Sequence, residues 1–342
     1  MTPINKPEII LISPQGSVLA TLANYYSEIL VNAGYRIQSI DSKNTGVLRY
    51  KLIIRLLKIK NSLINIHSSG YYDDISLIYG IILSKIMGNK CILTYHCGSM
   101  RDNIKKMGWL IFFFFKKCER IIVVSNDMKK NIIDWKPELK DKLELIENFI
   151  KLPENISPDQ KYKKENIVLT VSTIVDKQNL YRKGLNLFAR LSLNFPKYTF
   201  IIVGKCVDNT VTSYLKQLGG NNLKLVGRIT ENELINIYKQ AYIYCQLSES
   251  EGLPMALLEA MSFGCIPVVS DKSSLPEVVG TSGFSIKYND LNDACRIINE
   301  IIKKNFSGEP AKKRIYLHYT IEKRKNTILQ TFKNILNRTN EK

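Results

Sequence analysis

Residues Ser248–Gly264 read SESEGLPMALLEAMSFG. The run MALLEAM consists of strong helix formers, and Pro254 ahead of it suits a helix's first turn, where a missing N–H costs little. Glu251 therefore falls in a Gly-containing turn before a helix N-terminus, and Glu259 about two turns along that helix. AYIYCQL precedes and CIPVVS follows, so the local order is strand, turn, helix, strand. Two interpretations of the acids are open. They accept hydrogen bonds from the hydroxyls of a ligand whose phosphates sit on the unpaired N–H groups of the helix start, with Gly252 permitting close backbone approach. Or one offsets the helix dipole and the other is simply solvated.

Working outward, the same alternation recurs along the chain. EIILIS, YRIQSI, SLINIHS, KCILTYH and RIIVVS are candidate strands in the N-terminal half, and LATLANYYSEILVNAG is a helix closing on Gly34. Strands of nearly continuous apolar character between helices imply a parallel sheet covered on both faces. KLPENISPDQKYKKEN interrupts the pattern as a linker. Alternation then resumes with NIVLTVST, a helix over KGLNLFARLSLNF, YTFIIVGK, NLKLVGR and AYIYCQL, and Thr230 with Glu233 fits a capping box. The expected organisation is a Rossmann-like domain over 1–150, a linker over 151–165, a second Rossmann-like domain over 166–318, and a terminal helix over 319–342 packing back toward the first domain. Ligands of such sheets bind beyond the carboxyl ends of strands, which draws attention to Glu251, Lys183, His96, His67 and Gly204.

The chain has 342 residues and carries 49 Lys+Arg against 31 Asp+Glu, a formal charge of +18. Such an excess suits anionic partners (nucleic acid, lipid head groups or phosphorylated substrates), or reflects no more than solvated lysine faces. Seven cysteines are scattered without a C-x-x-C pair, the pattern of reduced thiols in a cytosolic protein. No secretory signal is visible, and apolar runs such as MGWLIFFFF are too short to span a bilayer.

The segment SESEGLPMALLEAMSFGCIPVVS resembles the E-x7-E signature of the retaining family 4 glycosyltransferases, which have the GT-B fold. RKGLNLF, TFIIVGK and KLVGRITENELINIYKQAYIYCQLSESEG resemble the segments leading to that signature. ILTYHCG resembles the strand ending in the family's active-site histidine. The resemblance implies an α/β GT-B architecture, two doubly wound domains facing a central cleft. It implies a retaining, metal-independent hexosyltransferase-type enzyme of the bacterial surface-polysaccharide kind (O-antigen or capsule). It takes a sugar from a nucleotide diphosphate donor, with UDP the expected nucleotide, and needs no cofactor. By the same resemblance Glu251 and His96 address the donor sugar, Lys183 the diphosphate, and Glu259 the ribose. Gly252, Leu253, Pro254, Arg182, Gly204 and Gly16 complete the donor site. By position alone, His67, after a strand, is either an acceptor-side residue or a hydrogen-bonded core or loop histidine, and Arg101, close behind His96, either meets an anionic acceptor or plays no part in the site. Family members carry Gly-Arg where this chain has Ser172 and Thr173, which leaves Arg182 as the substitute.

Residues Ser42–Tyr72 contain no acid, and GVLRYKLIIRLLKIK and WLIFFFFKK place apolar and basic residues together. Both fit helices lying on an anionic membrane and core helices with snorkelling lysines. A lipid-linked saccharide acceptor at the cytoplasmic leaflet follows from the first. Asp73–Asp74 read as loop carboxylates rather than a metal site, and His318 as structural. The rival functions are a GT-B-like nucleotide-sugar epimerase and a basic nucleic-acid-binding module. The second leaves the lysine and the paired acids unexplained, so no nucleic-acid partner is expected.

Overall fold

A computed structural model describes residues 8–42, 47–70, 75–152, 157 and 159–337. Asp73, Asp74 and part of the proline-containing linker lie outside them. The chain divides into two compact units, Met1–Lys151 with Ile321–Lys342, and Leu152–Thr320.

The first unit alternates β1 (Ile9–Ser13), α1 (Val18–Asn32), β2 (Ile37–Asp41), α2 (Val47–Lys58), β3 (Leu63–Ser68), α3 (Ile75–Ile86), β4 (Lys90–Tyr95), α4 (Met100–Lys117), β5 (Arg120–Val123), α5 (Asn126–Trp135) and β6 (Leu143–Leu145). The strands pair in parallel in the order β2-β1-β3-β4-β5-β6. Every residue of β1 and β3 is buried, as a sheet covered on both faces requires. Ser17 caps α1 by accepting from Ala20 N (3.3 Å), and Gly34, at φ +82°, ends it. Because β1 is flanked by β2 and β3, the order reverses there, and the loops after β1 and β3 border the switch point.

The second unit runs β7 (Glu165–Val171), α6 (Lys177–Arg182), α7 (Leu185–Asn194), β8 (Thr199–Val203), α8 (Asn209–Leu218), β9 (Leu223–Gly227), α9 (Glu231–Gln240), β10 (Ala241–Gln246), α10 (Met255–Ser262), β11 (Ile266–Ser270), α11 (Leu275–Val279), β12 (Phe284–Ile286), α12 (Leu291–Lys304) and α13 (Glu309–His318). Its sheet is also parallel, in the order β12-β11-β10-β7-β8-β9. The switch point lies between β7 and β10, so the loop carrying Glu251 leaves the sheet there. Thr230 and Glu233 form the capping box of α9.

The last helix, α14 (Ile321–Asn337), belongs to the first unit. Its Ile328, Phe332 and Ile335 enter the core with Leu11, Tyr26, Ile29 and Phe149. Burying each of these three side chains stabilises the unit by roughly 1.5–3 kcal/mol, comparable in sum to the whole stability of many domains. Lys90 Nζ donates to Ile335 O (2.6 Å) and Arg324 pairs with Glu147.

Two local expectations need correction. The helix expected over KGLNLFARLSLNF is α7, which begins only at Leu185, and a short extra helix, α6, precedes it; Gly184 separates the two at φ +67°, where any Cβ would lie 2.2 Å from Leu247 O. Lys183 is therefore the C-cap of α6, not part of a helix start. Pro254 is the N-cap of α10 rather than its first-turn residue. Glu259 consequently sits a little over one turn along α10 rather than two.

Candidate active site

In the second unit, β10 delivers the chain to a loop folded around Glu251. Three donors converge on one carboxylate oxygen, Oε1: Lys183 Nζ at 2.7 Å, Ser248 Oγ at 2.7 Å and Gln246 Nε2 at 3.0 Å. Tyr244 donates in turn to Gln246 Oε1 (2.9 Å). Tyr244, Gln246 and Ser248 alternate along one direction of the chain, so their side chains share a side of β10 and its extension. The loop's other anchor is Ser273, at φ +47°, whose Oγ accepts from Glu251 N (2.9 Å).

Glu251 and Lys183 are nearly enclosed, with side chains 12% and 20% exposed. Burial by itself would raise the Glu251 pKa. The Lys183 ammonium, its hydrogen bond and the Ser248 hydroxyl outweigh that, and the carboxyl is held below its ordinary range. The site thus presents an ionised acid and an ammonium side by side.

Arg182 faces the same loop. Its carbonyl accepts from Glu249 N (2.7 Å), and its Nη1 reaches Ser250 O (3.5 Å). The structure therefore brings Arg182 and Lys183 to one loop, although adjacent helical residues ordinarily diverge.

Gly252 and Leu253 are buried between this loop and α10. Pro254, at the N-cap of α10, contributes no side-chain cap of its own to the first N–H groups. On α10, Glu259 Oε2 accepts from Tyr238 Oη (3.1 Å). Here burial dominates, and the Glu259 pKa is raised despite that bond. Glu259 is thus not a freely solvated surface acid. Gly204 follows β8, but its role is visible in packing: at φ +147°, a Cβ would lie 2.0 Å from Ser172 O.

In the first unit, considered by itself, His96 comes immediately after β4. Its Nε2 lies 3.2 Å from His67 Nδ1, with the two rings stacked at 5.3 Å. Burial lowers the His96 pKa to about 4, partly opposed by the Asn148 side chain, which favours the protonated ring. His67 lies inside β3 rather than after it and is 0% exposed. It has no surface with which to touch an acceptor, and it engages Asn65 and His96 instead. Arg101, exposed on the first turn of α4, donates from Nε and Nη2 to Asn131 Oδ1. Gly16, at φ +73°, has open space around its missing Cβ.

Sequence reasoning missed Gln246, Ser248, Ser273 and Tyr238. For the first two a signal exists, since a polar residue every second position near the end of a buried strand is unusual.

The fold belongs to the GT-B class. A Thermosynechococcus elongatus sucrose-phosphate synthase matches 96% of this chain and 99% of its own, at 16% identity and a TM-score of 0.74. Anabaena Alr3699/HepE in complex with UDP and glucose matches 96% and 100%, at 15% identity and a TM-score of 0.74. A family profile described as "Glycosyl transferases group 1" matches residues 153–324, and the chain belongs to that family. An uncharacterised 41.2 kDa protein of the Klebsiella pneumoniae cps region is 24% identical over 73% of this chain and 72% of the relative. The Escherichia coli UDP-Gal:alpha-D-GlcNAc-diphosphoundecaprenol alpha-1,3-galactosyltransferase is 26% identical over 78% and 71%. The chain is a group 1 glycosyltransferase with relatives in bacterial polysaccharide synthesis.

Proposed function

We propose that the chain moves a sugar, with retained anomeric configuration and without a metal, from a UDP sugar onto a lipid-linked saccharide during bacterial surface-polysaccharide synthesis. The observation that carries this is the convergence of Lys183 and Glu251 at the β7/β10 switch point, beside the start of α10 and with Glu259 behind it. The ammonium and amide groups suit a diphosphate leaving group, where negative charge grows as the glycosidic bond breaks. The ionised Glu251 suits donor-sugar hydroxyls and opposes the positive charge that develops on the sugar. Glu259 accepts from the ribose, Arg182 assists Lys183, and Gly252, Leu253 and Pro254 line the donor. Gly204 sets the backbone beside Ser172. His96 lines the donor sugar and Gly16 approaches the phosphates, as the family resemblance implies, and Arg101, close behind His96, meets an anionic acceptor.

The donor and acceptor classes are supported by relatives. HepE was solved with UDP and glucose, and the Escherichia coli relative is named for UDP-Gal and a diphosphoundecaprenol-linked sugar. A membrane-borne acceptor also suits the first unit's surface. Trp109 is 77% exposed and Phe113 45%, while Lys116 and Lys117 lie over the Phe112 and Phe113 rings at 5.3 and 5.5 Å. Among the described residues no helix is long and apolar enough to cross a membrane, so attachment at the surface is the mode proposed.

The test is a panel of nucleotide sugars screened for thermal stabilisation, since a ligand of the folded state raises its apparent stability. Hits are then given lipid-linked acceptors with and without EDTA, and the product's anomeric configuration is read by NMR. An elongated acceptor with retained configuration, insensitive to EDTA, is expected. A donor converted without transfer, or an inverted product, overturns the proposal.

A further inference from the structure

His96 is the end of a buried chain of polar side chains running across β3 and β4. Thr94 Oγ1 donates to Asn65 Oδ1 at 2.8 Å. Asn65 Nδ2 lies 3.2 Å from His67 Nε2, and His67 Nδ1 lies 3.2 Å from His96 Nε2. Parallel register sets His67 beside Thr94, and alternation along β3 puts Asn65 and His67 on one side of the strand. Thr94, Asn65 and His67 are all 0% exposed. Thr94, Asn65 and His67 are thus each engaged inside the sheet rather than with solvent.

The chain has a direction. An amide nitrogen only donates, so His67 Nε2 must accept and carries no proton. A neutral His67 then has its proton on Nδ1, which donates to His96 Nε2. That nitrogen is therefore also bare, and a neutral His96 carries its proton on Nδ1. In water a neutral imidazole favours the opposite form, Nε2–H. The partner of one ring nitrogen decides the state of the other, and here the Asn65 amide, its oxygen on Thr94 and its nitrogen on His67, sets the order for two rings.

The surroundings keep both rings uncharged. His67 is lowered by burial and then by the neighbouring His96, and His96 by burial. Tyr26, from α1, meets the His67 ring edge-on at 5.2 Å, with Arg324 of α14 acting on Tyr26. Asn148, after β6, is the polar side chain that favours a proton on His96. His96 Nδ1 is shielded from solvent and has no partner in close hydrogen-bonding geometry.

We propose that Thr94, Asn65 and His67 form a directional hydrogen-bond relay that holds His96 neutral and in its Nδ1–H form, making Asn65 and His67 positioning residues for sugar transfer. His96 then carries a proton rather than a lone pair at Nδ1, and acts as a donor, not a base, at that atom. Its neutrality also matters, because an imidazolium there would oppose positive charge developing on the sugar. This catalytic consequence rests on the function proposed above; the tautomer assignment does not.

The test uses the full chain labelled with 15N-histidine. There are three histidines, and exposed His318 is the control, so long-range proton–nitrogen spectra resolve each ring. Expected at pH 7 are a protonated Nδ1 and a bare Nε2 for both His67 and His96. Protonated Nε2 atoms, or an imidazolium at either position, overturn the proposal without bearing on transferase activity. Asn65→Asp supplies an acceptor in place of the amide donor and should move the His67 proton to Nε2. Thr94→Val should mix the tautomers, while Thr94→Ser restores the wild-type pattern. Where donor transfer is measurable, Asn65→Asp and Thr94→Val should lower kcat roughly tenfold, about the value of one neutral hydrogen bond. KM for the donor should change less, and Thr94→Ser should recover kcat. Altered tautomers with wild-type kcat and pH profile would refute the positioning role.

Discussion

Replacing Glu251 tests the site at its most connected atom. All three donors converge on Oε1, so glutamine can place its amide oxygen there and retain every bond. What Glu251→Gln loses is charge. Charge-assisted bonds are worth about 1.5–3 kcal/mol and neutral ones about 0.5–1.5, so the variant should be about 1–2 kcal/mol less stable. Glu251→Ala also strands Lys183, whose side chain is only 20% exposed; breaking an enclosed pair this way costs about 3–5 kcal/mol. For a unit the size of Leu152–Thr320 the midpoints should fall by roughly 3–6 °C and 8–15 °C respectively. Calorimetry is the appropriate assay. The chain's two tryptophans, Trp109 and Trp135, both lie in the first unit, so their fluorescence does not follow this transition. Both variants should lose roughly 10²–10³ in kcat, the scale of one preorganised electrostatic group. Because Glu251 is held below its ordinary pKa of 4.5, its stabilising contribution is complete above that pH and disappears as the pH falls below it. Glu251→Gln should lack that acid-sensitive component. Equal midpoints for the alanine and glutamine variants would refute the pairing argument, and wild-type turnover in Glu251→Gln would refute the assigned role.

Gly204→Ala should unfold or severely destabilise the second unit, since its Cβ would meet Ser172 O at 2.0 Å with φ at +147°, whereas Gly16→Ala meets nothing within 4 Å and should cost only about 1–2 kcal/mol of left-handed strain; chemical denaturation of both variants checks this, and a harmless Gly204→Ala sinks the packing account. The first unit should weaken as pH falls from 6.5 toward 4, because His96 titrates near 4 when folded and near 6.5 when unfolded, so the unfolded chain takes up the extra proton. That loss reaches at most about 3 kcal/mol. Urea unfolding followed by tryptophan fluorescence should show it in the wild type and less of it in His96→Gln; an identical pH dependence in both would contradict the assigned burial effect.

Much of the plan was legible in residue order. Continuous apolar runs such as IILIS between helical patterns implied covered parallel sheets, because only a strand buried on both faces can dispense with polar alternation. Glycines and prolines punctuated the elements, and Glu251, Glu259 and Lys183 stood out through a long patterned segment. The break at Gly184 was less visible. A glycine between helix formers looks like one tolerated residue, and the close approach of Leu247, far along the chain, is what forces its left-handed backbone.

The partners of the chemistry needed the folded molecule. Sequence identifies His67 and His96 as individual residues, and it cannot state that the fold sets one ring against the other or that the Asn65 amide joins His67 to Thr94. It likewise offers Glu251 and Lys183 as separate charges, while the switch point between β7 and β10 sets them 2.7 Å apart. Local sequence determined which segments became strand and helix, because periodicity and turn chemistry act over a few residues. Tertiary structure decided which side chains meet, which are shut from water and hence which protons they keep, because burial and distance depend on residues remote in the chain.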